Sequence, residues 1–321
     1  MIATAEPTRR GRFAPSPSGP LHLGSLLTAV GSYLDAKHQK AEWLVRIEDI
    51  DHTRSKPAYA GQILKTLECF GLYWDGEVLY QHTRLDAYQE AFDRLAQEGH
   101  LYPCHCSRAR VAATTTANGR YTQVCKPDRR TTLSPIASSA IASSAITSAW
   151  RFDTESFDAI TLHDRLQGSL TQHVHQTVGD FVIRRRDGEF TYQLAVVVDD
   201  AFQGITDVVR GADLLDNTPR QRLLQNALRW PSPTTLHLPV LVEKTGEKLS
   251  KSRQALALDP TQSPALLSHV LRLLGHAPPT DLLGAPVHAQ LQWAIEAWRI
   301  ERLPHETEVY VSDDSNLTMK N

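Results

Sequence analysis

An α/β fold, in which a parallel sheet carries helices on its faces, is what the order of segments between residues 11 and 100 predicts. Strand-like and helix-like stretches alternate there, as β-α-β units require, and the same alternation returns after residue 181. At 321 residues the chain has room for one large domain or two ordinary ones. Its 41% hydrophobic and 22% charged residues are those of a soluble globular protein.

The first strand is "GRFAP", residues 11 to 15. Pro15, Pro17 and Pro20 then stiffen a turn that runs through His22 and Gly24 into a helix predicted over Ser25 to Lys37. Leu26, Leu27, Val30 and Leu34 give that helix its apolar stripe. The second strand is "EWLVRIED", followed by helices at Ile63 to Phe70 and Arg84 to Gln97. Residues 101 to 180 read differently: Cys104, Cys106 and Cys125 precede the low-complexity run "TTLSPIASSAIASSAITSA", expected to be a flexible insertion loop. From 181, "DFVIRRRDGEFTYQLAVVV" predicts a hairpin about Asp187-Gly188 and then a buried strand. Helical spacing recurs at Pro219 to Trp230, Pro264 to Leu274 and Gln290 to Ile300, and "LHLPVLV" reads as an apolar strand. The closing "VYVSDDSNLTMKN" is expected to be a disordered tail.

With 34 Lys plus Arg against 36 Asp plus Glu, the net charge of -2 gives no global attraction to nucleic acid. A polyanion must be gripped locally. Arg184-Arg185-Arg186, Arg129-Arg130 with Lys126, and the segment from Lys244 to Arg253 are the candidates, each equally readable as a solvated face. No run approaches the length of a membrane span and the opening lacks a signal-peptide core, so a cytoplasmic location with no membrane partner is expected.

Two short stretches carry the chemistry. A glycine at a helix mouth lets a ligand approach backbone N–H groups, and the helix dipole there favours phosphate. Alone, "PLHLG" could be a tight turn with a capping histidine. "EKTGEKLSKSRQ" holds Lys244, Lys248 and Lys251 in a polar, glycine-bearing loop able to fold over phosphates, although alone it reads equally as an exposed loop.

Together, "HLGS" at the first strand-helix junction and the later "KLSKS" resemble the two signatures of class I aminoacyl-tRNA synthetases. "RFAPSPSGPLHLGSL", "VRIEDIDHTR", "QLAVVVDDAFQGITDVVRGADLLDNTPRQ" and "KLSKS" resemble the glutamyl-tRNA synthetase group over most of residues 11 to 253. Ser25 stands where the first signature has its second histidine, a departure also common in the glutamyl group. The resemblance implies a Rossmann-type sheet split by an acceptor-type, zinc-bearing insertion and followed by a short helical C-terminal part. In these terms residues 1–100 and 181–260 are the two halves of the catalytic domain, 101–180 the insertion and 261–321 the C-terminal region.

The resemblance further implies that His22 and Lys251 are catalytic, that His22, Gly24, Lys248 and Lys251 bind ATP with Mg²⁺, and that Arg12, Phe13, Ala14, Pro15, Ser16, Glu48, Tyr192 and Arg210 bind glutamate. A dicarboxylic amino acid calls for two cations and one anion. On this reading Arg12 and Tyr192 take the side-chain carboxylate, Arg210 the α-carboxylate and Glu48 the ammonium.

Three cysteines in such a context read as metal ligands before disulfides. Zinc needs a fourth donor, and the shorter glutamyl relatives supply a tyrosine four residues before the last cysteine. The implied set is Cys104, Cys106, Tyr121 and Cys125, with His105 a rival and three free thiols the alternative.

Only 69 residues follow Ser252, which leaves no room for an anticodon-binding module of on the order of 100 residues. The expectation is therefore the truncated branch of the family. It activates glutamate with ATP without tRNA and attaches it to the queuosine base in the anticodon of tRNA(Asp). A monomer is expected. A minimal enzyme charging a tRNA 3′ end and a non-enzymatic adenylate-binding regulator share many of these residues and stay open at this point.

Overall fold

The structure, a computed structural model, describes residues 8–116, 119–121, 126, 148–242 and 258–310. Strand β1 (Arg10–Phe13) leads through the proline turn into helix α1 (Leu23–His38), then strand β2 (Glu42–Ile47), helix α2 (Pro57–Cys69), strand β3 (Leu79–Tyr80) and helix α3 (Leu85–Gln97). The middle of the chain holds β4 (Leu101–Cys104), α4 (Arg108–Thr114), β5 (Ala149–Phe152), β6 (Ile160–Asp164), β7 (Gly168–Gln172), α5 (Val174–Thr177) and β8 (Phe181–Arg184). Helix α6 (Tyr192–Phe202), β9 (Asp207–Gly211), α7 (Thr218–Leu228), β10 (Thr234–Leu238), β11 (Val240–Val242), α8 (Ser263–Leu273), α9 (Val287–Ala297) and β12 (Glu308–Tyr310) follow.

Among the described residues the main sheet has the order β3-β2-β1-β9-β10-β6-β7. Its pairings are parallel except for the β6–β7 hairpin at the edge. Beside it, β4, β5 and β8 form a small antiparallel sheet, and β11 pairs in parallel with β12.

The two faces of the main sheet differ in chemistry. Phe13, Trp43, Val45, Ile47, Val209, Leu236 and Leu238 join one apolar core with α1, α2, α8 and α9. Helix α1 lies so close that a Cβ added to Gly31 would stand 2.5 Å from Leu238 Cδ1. Alternation along each strand sends the intervening residues to the other face, where Arg12, Arg46, Arg210 and His237 are all buried. The register sets Arg210 directly beside His237 and Arg12 beside Leu44. A second core joins α3, α6 and α7 to the small sheet through Phe92, Trp150, Phe152, Leu194 and Leu224.

Four expectations need correction or extension. Leu194–Val198 lies in helix α6, not in a strand: all five side chains are buried, so this stretch has no polar position to give it a 3.6-residue stripe. "LHLPVLV" makes two strands in different sheets, because Pro239 has no N–H to continue a ladder. Residues 160–172 fall within the expected insertion but extend the main sheet, with Asp164 paired beside Thr235. Val309 and Tyr310, expected in a disordered tail, pair with Leu241 and Val242. The hairpin about Asp187-Gly188 closes through an Arg184–Phe190 bridge, with Gly188 at φ +92° where a side chain would be strained. The Ser/Ala-rich run lies, but for Ser148 and Ala149, outside the described residues, as do residues 311–321.

Candidate active site

A cavity of about 690 Å³ opens at the carboxyl ends of the parallel strands. Phe13 and Ala14 leave β1, Glu48 follows β2, Gly211 ends β9 and Pro239 follows β10, and all five line it. Neighbouring strands β1 and β9 lead their chains away to opposite sides, which opens a crevice between the crossovers. Pro15, Ser16, His22 and Gly24 form the wall on the helix side. Arg12, Tyr192 and Arg210 line the same cavity, so every described residue expected at the glutamate and ATP sites meets there. Lys248 and Lys251 lie outside the described residues.

His22 caps α1. Its backbone N–H donates to Ser25 Oγ at 2.7 Å while its Nδ1 accepts from the Ser25 amide at 3.3 Å, a reciprocal capping box. Because Nδ1 accepts, the neutral ring carries its proton on Nε2 as a donor. Gly24 is small for the same reason: an added Cβ would stand 3.3 Å from the imidazole Cε1 and Nδ1. Ser25, the departure from the signature, thus completes the cap that orients His22.

The polar face of the sheet supplies charge. Arg46 is fully buried and donates to Asp200 at 2.7 Å and Gln203 at 2.8 Å, with Glu48 at 3.6 Å. Arg12 donates its Nε to the same Asp200 oxygen at 3.2 Å. Burial opposes the Asp200 anion, but Arg12 and Arg46 hold its pKa below the ordinary value. For Glu48 burial prevails: despite Arg46 and Arg12, desolvation, helped by Asp200 and Asp199, raises its pKa to about 7. Asp199, also buried, takes hydrogen bonds from Tyr88, Gln81 and Arg84.

Arg210 is the hub of the opposite wall. Its Nη1 donates to Tyr192 Oη at 3.1 Å, its Nη2 to Thr218 at 2.8 Å and Gln221 at 2.9 Å, and its Nε to His237 Nε2 at 3.1 Å. Since His237 Nε2 accepts, Nδ1 is the donor to Asp164, at 2.6 Å. Burial keeps the imidazole neutral, its pKa lowered further by Arg210, while burial of Asp164 is outweighed by hydrogen bonds from His237 and the Gln167 amide that hold its pKa at about 2. Burial also raises the Tyr192 pKa, and this phenol feels Arg210, Glu48 and Arg12 together.

Sequence reasoning missed Arg46, Asp200, Asp164 and His237. The signals were present as polar residues inside apolar runs, His237 in "LHLPVLV" and Asp199-Asp200 ending "AVVVDD". A buried histidine or carboxylate in such a run needs a partner.

At the cysteines, Tyr121 Oη lies 3.7 Å from Cys104 Sγ and 4.0 Å from Cys106 Sγ. Around one tetrahedral zinc, bonds of about 2.3 Å to sulfur and 2.0–2.2 Å to oxygen would set neighbouring sulfur and oxygen donors roughly 3.5 Å apart, near these two separations. Arg151 donates to Cys104 Sγ at 3.4 Å and stacks 3.6 Å above the Tyr121 ring. Cys125 lies outside the described residues, and among those described no three His, Cys, Asp or Glu side chains gather as metal ligands. His105, the rival, is bonded to Ser148 Oγ at 2.9 Å.

The described members of the basic clusters are engaged internally, and the segment from Lys244 to Arg253 lies outside the described residues. Arg184 donates to the Gly188 carbonyl and sits over the Phe92 and Phe190 rings, Arg185 pairs with Glu189, and Arg186 holds the His105 and Cys106 carbonyls. Lys126 is bound by Asp153 at 2.6 Å and Glu155 at 2.7 Å, whereas Arg129 and Arg130 lie outside the described residues.

The sequence profile of the tRNA synthetases class I (E and Q), catalytic domain, matches residues 9–279. The chain is 48% identical over 297 residues to the glutamyl-Q tRNA(Asp) synthetase of Thiobacillus denitrificans, covering 92% of this chain and 94% of that protein. It is equally 48% identical over 298 residues to the protein of the same name from Dechloromonas aromatica, covering 93% and 96%. In fold it matches the glutamate-tRNA synthetase of Elizabethkingia anophelis with a TM-score of 0.77 at 24% identity, over 96% of this chain and 69% of that one. A glutamate tRNA ligase from Elizabethkingia meningosepticum, solved with its amino acid, matches with a TM-score of 0.74 at 23% identity, over 95% and 67%.

Proposed function

The chain belongs to the class I tRNA synthetases (E and Q), and from that premise we propose that it is a ligase that activates glutamate with ATP and passes it to queuosine in tRNA(Asp). The observation that carries the reading is one cavity holding two buried guanidiniums, one buried carboxylate and a helix N-terminus capped by His22. Near-half identity to two proteins named for this acceptor, across almost their whole length, supports the choice of RNA.

In this reading Arg12 with Tyr192 receives the side-chain carboxylate, Arg210 the α-carboxylate and Glu48 the ammonium. Phe13, Ala14, Pro15 and Ser16 supply the adjoining backbone wall. ATP lies along the α1 mouth, where Gly24 lets its phosphates approach the amides and His22 Nε2–H donates to charge gathering in the transition state. Lys248 and Lys251 complete the cationic clamp, and Mg²⁺ supplies further positive charge to the triphosphate. The α-carboxylate is already ionised, so no protein base is needed. Its oxygen bonds to the α-phosphorus and pyrophosphate leaves. In the second step an acceptor hydroxyl oxygen bonds to the glutamyl carbonyl carbon, and AMP departs with the electron pair of the broken carbon–oxygen bond. The hydroxyl proton passes to the AMP phosphate. Cys104, Cys106, Tyr121 and Cys125 would hold zinc, which would fix the insertion as a rigid RNA-facing module.

Glutamate-dependent ATP–pyrophosphate exchange should proceed without RNA and be much weaker with glutamine, whose amide leaves one guanidinium without a counter-charge. Labelled glutamate should then transfer to tRNA(Asp) carrying queuosine and not to the unmodified transcript. Labelling of unmodified tRNA(Glu) at its 3′ end would instead establish a minimal charging enzyme.

A further inference from the structure

Beside the main cavity lies a second one of about 520 Å³, and Ser16, Ser18, Glu48, Arg54, Tyr192 and Asp213 line both. A molecule in the side cavity therefore meets one in the main cavity. Four carboxylates, on Glu48, Asp51, Glu189 and Asp213, line it against two guanidiniums, on Arg54 and Arg185. Both guanidiniums are already paired: Arg54 donates to Asp51 at 2.9 Å, and Arg185 binds Glu189 with Asp51 at 3.7 Å. Such a wall repels a triphosphate and accepts a cationic or neutral group.

A separate feature points to a ligand. Gln81 is fully buried and lines this cavity; its Nε2 donates to Asp199 at 3.0 Å, while its Oε1 has no hydrogen-bond partner. A buried carbonyl left in that state calls for a donor.

We propose that the side cavity is the acceptor subsite and takes a nucleoside end bearing both a secondary ammonium and vicinal hydroxyls. The wall carboxylates, Asp213 first because it lines both cavities, face the ammonium, and Gln81 Oε1 accepts from a hydroxyl. Queuosine carries this combination, whereas a ribose 3′ end carries hydroxyls without the cation. The proposal rests on the reading of the main cavity as the glutamate site and of queuosine as acceptor.

Transfer of labelled glutamate to anticodon minihelices, measured beside pyrophosphate exchange, tests it. Asp213 is exposed, so Asp213→Asn keeps the fold; together with Gln81→Leu it should raise the minihelix KM about tenfold and lower transfer relative to exchange. A minihelix whose base has an ether oxygen in place of the amine should bind the unaltered protein about tenfold more weakly and be indifferent to Asp213→Asn. Unchanged KM in both variants, with no discrimination between amine and ether, overturns the subsite and leaves the transfer activity standing. No transfer by the unaltered protein overturns both readings.

Discussion

Arg210 has nearly all its donors committed before any substrate arrives, so its aim depends on neighbours that touch no ligand. His237 is the clearest of these: neutral, fully buried and gripped by Asp164, it fixes Arg210 Nε. His237→Leu should raise the glutamate KM about tenfold, because a charge-assisted hydrogen bond is worth about 1.5–3 kcal/mol, and should leave the ATP KM unchanged. His237→Gln, which keeps an acceptor, should recover much of the loss. Glu48 gives a pH signature. With its pKa raised from 4.5 to about 7, its carboxyl must shed a proton to meet the substrate ammonium, so glutamate affinity should climb as pH rises towards 7, at up to about tenfold per unit, and then level off. The same shift means that the ligand-free protein loses stability from this group as pH rises from 4.5 to about 7. Calorimetric glutamate titrations across pH 5.5 to 8 check the first sign and denaturant unfolding of the ligand-free protein from pH 4.5 to 7 the second, and a flat affinity would remove Glu48 from the ammonium. These networks were illegible in the sequence because their members lie far apart: Arg46 meets Asp200 across 154 positions, and residue spacing carries no trace of such a pairing.

Elements with one wet side were legible. Helix α1 and helix α3 declared themselves through apolar stripes, and the structure extends the first to Leu23 while leaving the second over Leu85–Gln97. Helix α6 did not, since burial of Gln193–Asp200 all round erases the wet half of the pattern. The cysteines led residues 101–180 to be expected as an insertion, but the return of β6 and β7 to the main sheet was not legible, because a two-strand hairpin at an edge carries no signal for which sheet it joins. Within this region the phenol-thiol cluster makes a definite claim. Protein purified without chelator should carry one zinc per chain, lost in Cys104→Ser and Cys125→Ser with a lower melting temperature, while exchange at saturating substrate changes little. Metal analysis finding no zinc in the unaltered protein would remove Tyr121 and the three cysteines from that role.

Across the whole molecule, Asp35 in α1 ties distant parts together. It takes both Nη groups of Arg165, at 2.7 and 2.8 Å, and the Trp298 indole N–H at 3.2 Å. Trp298 in turn stacks on His276, with ring centroids 4.8 Å apart. Trp298→Ala should cost about 3–5 kcal/mol, read by denaturant unfolding, and should raise hydrogen exchange in α8 and α9 before it does so in the main sheet. A loss below about 1 kcal/mol would show that the C-terminal helices dock independently of it. The pairing of β11 with β12 bears on the second signature in a different way. Val242 is held in that ladder, and Leu258 N donates to the Leu21 carbonyl at 3.3 Å, with Leu21 and Leu241 both lining the cavity. The described residues on either side of positions 243–257, which hold the KLSKS sequence, are thus moored at the cavity rim. In the proposed reading, a cation tethered at both ends to the rim acts at the effective concentration its tether sets, on the order of 10 mM for a short linker, so the triphosphate need not recruit a counter-charge from solution.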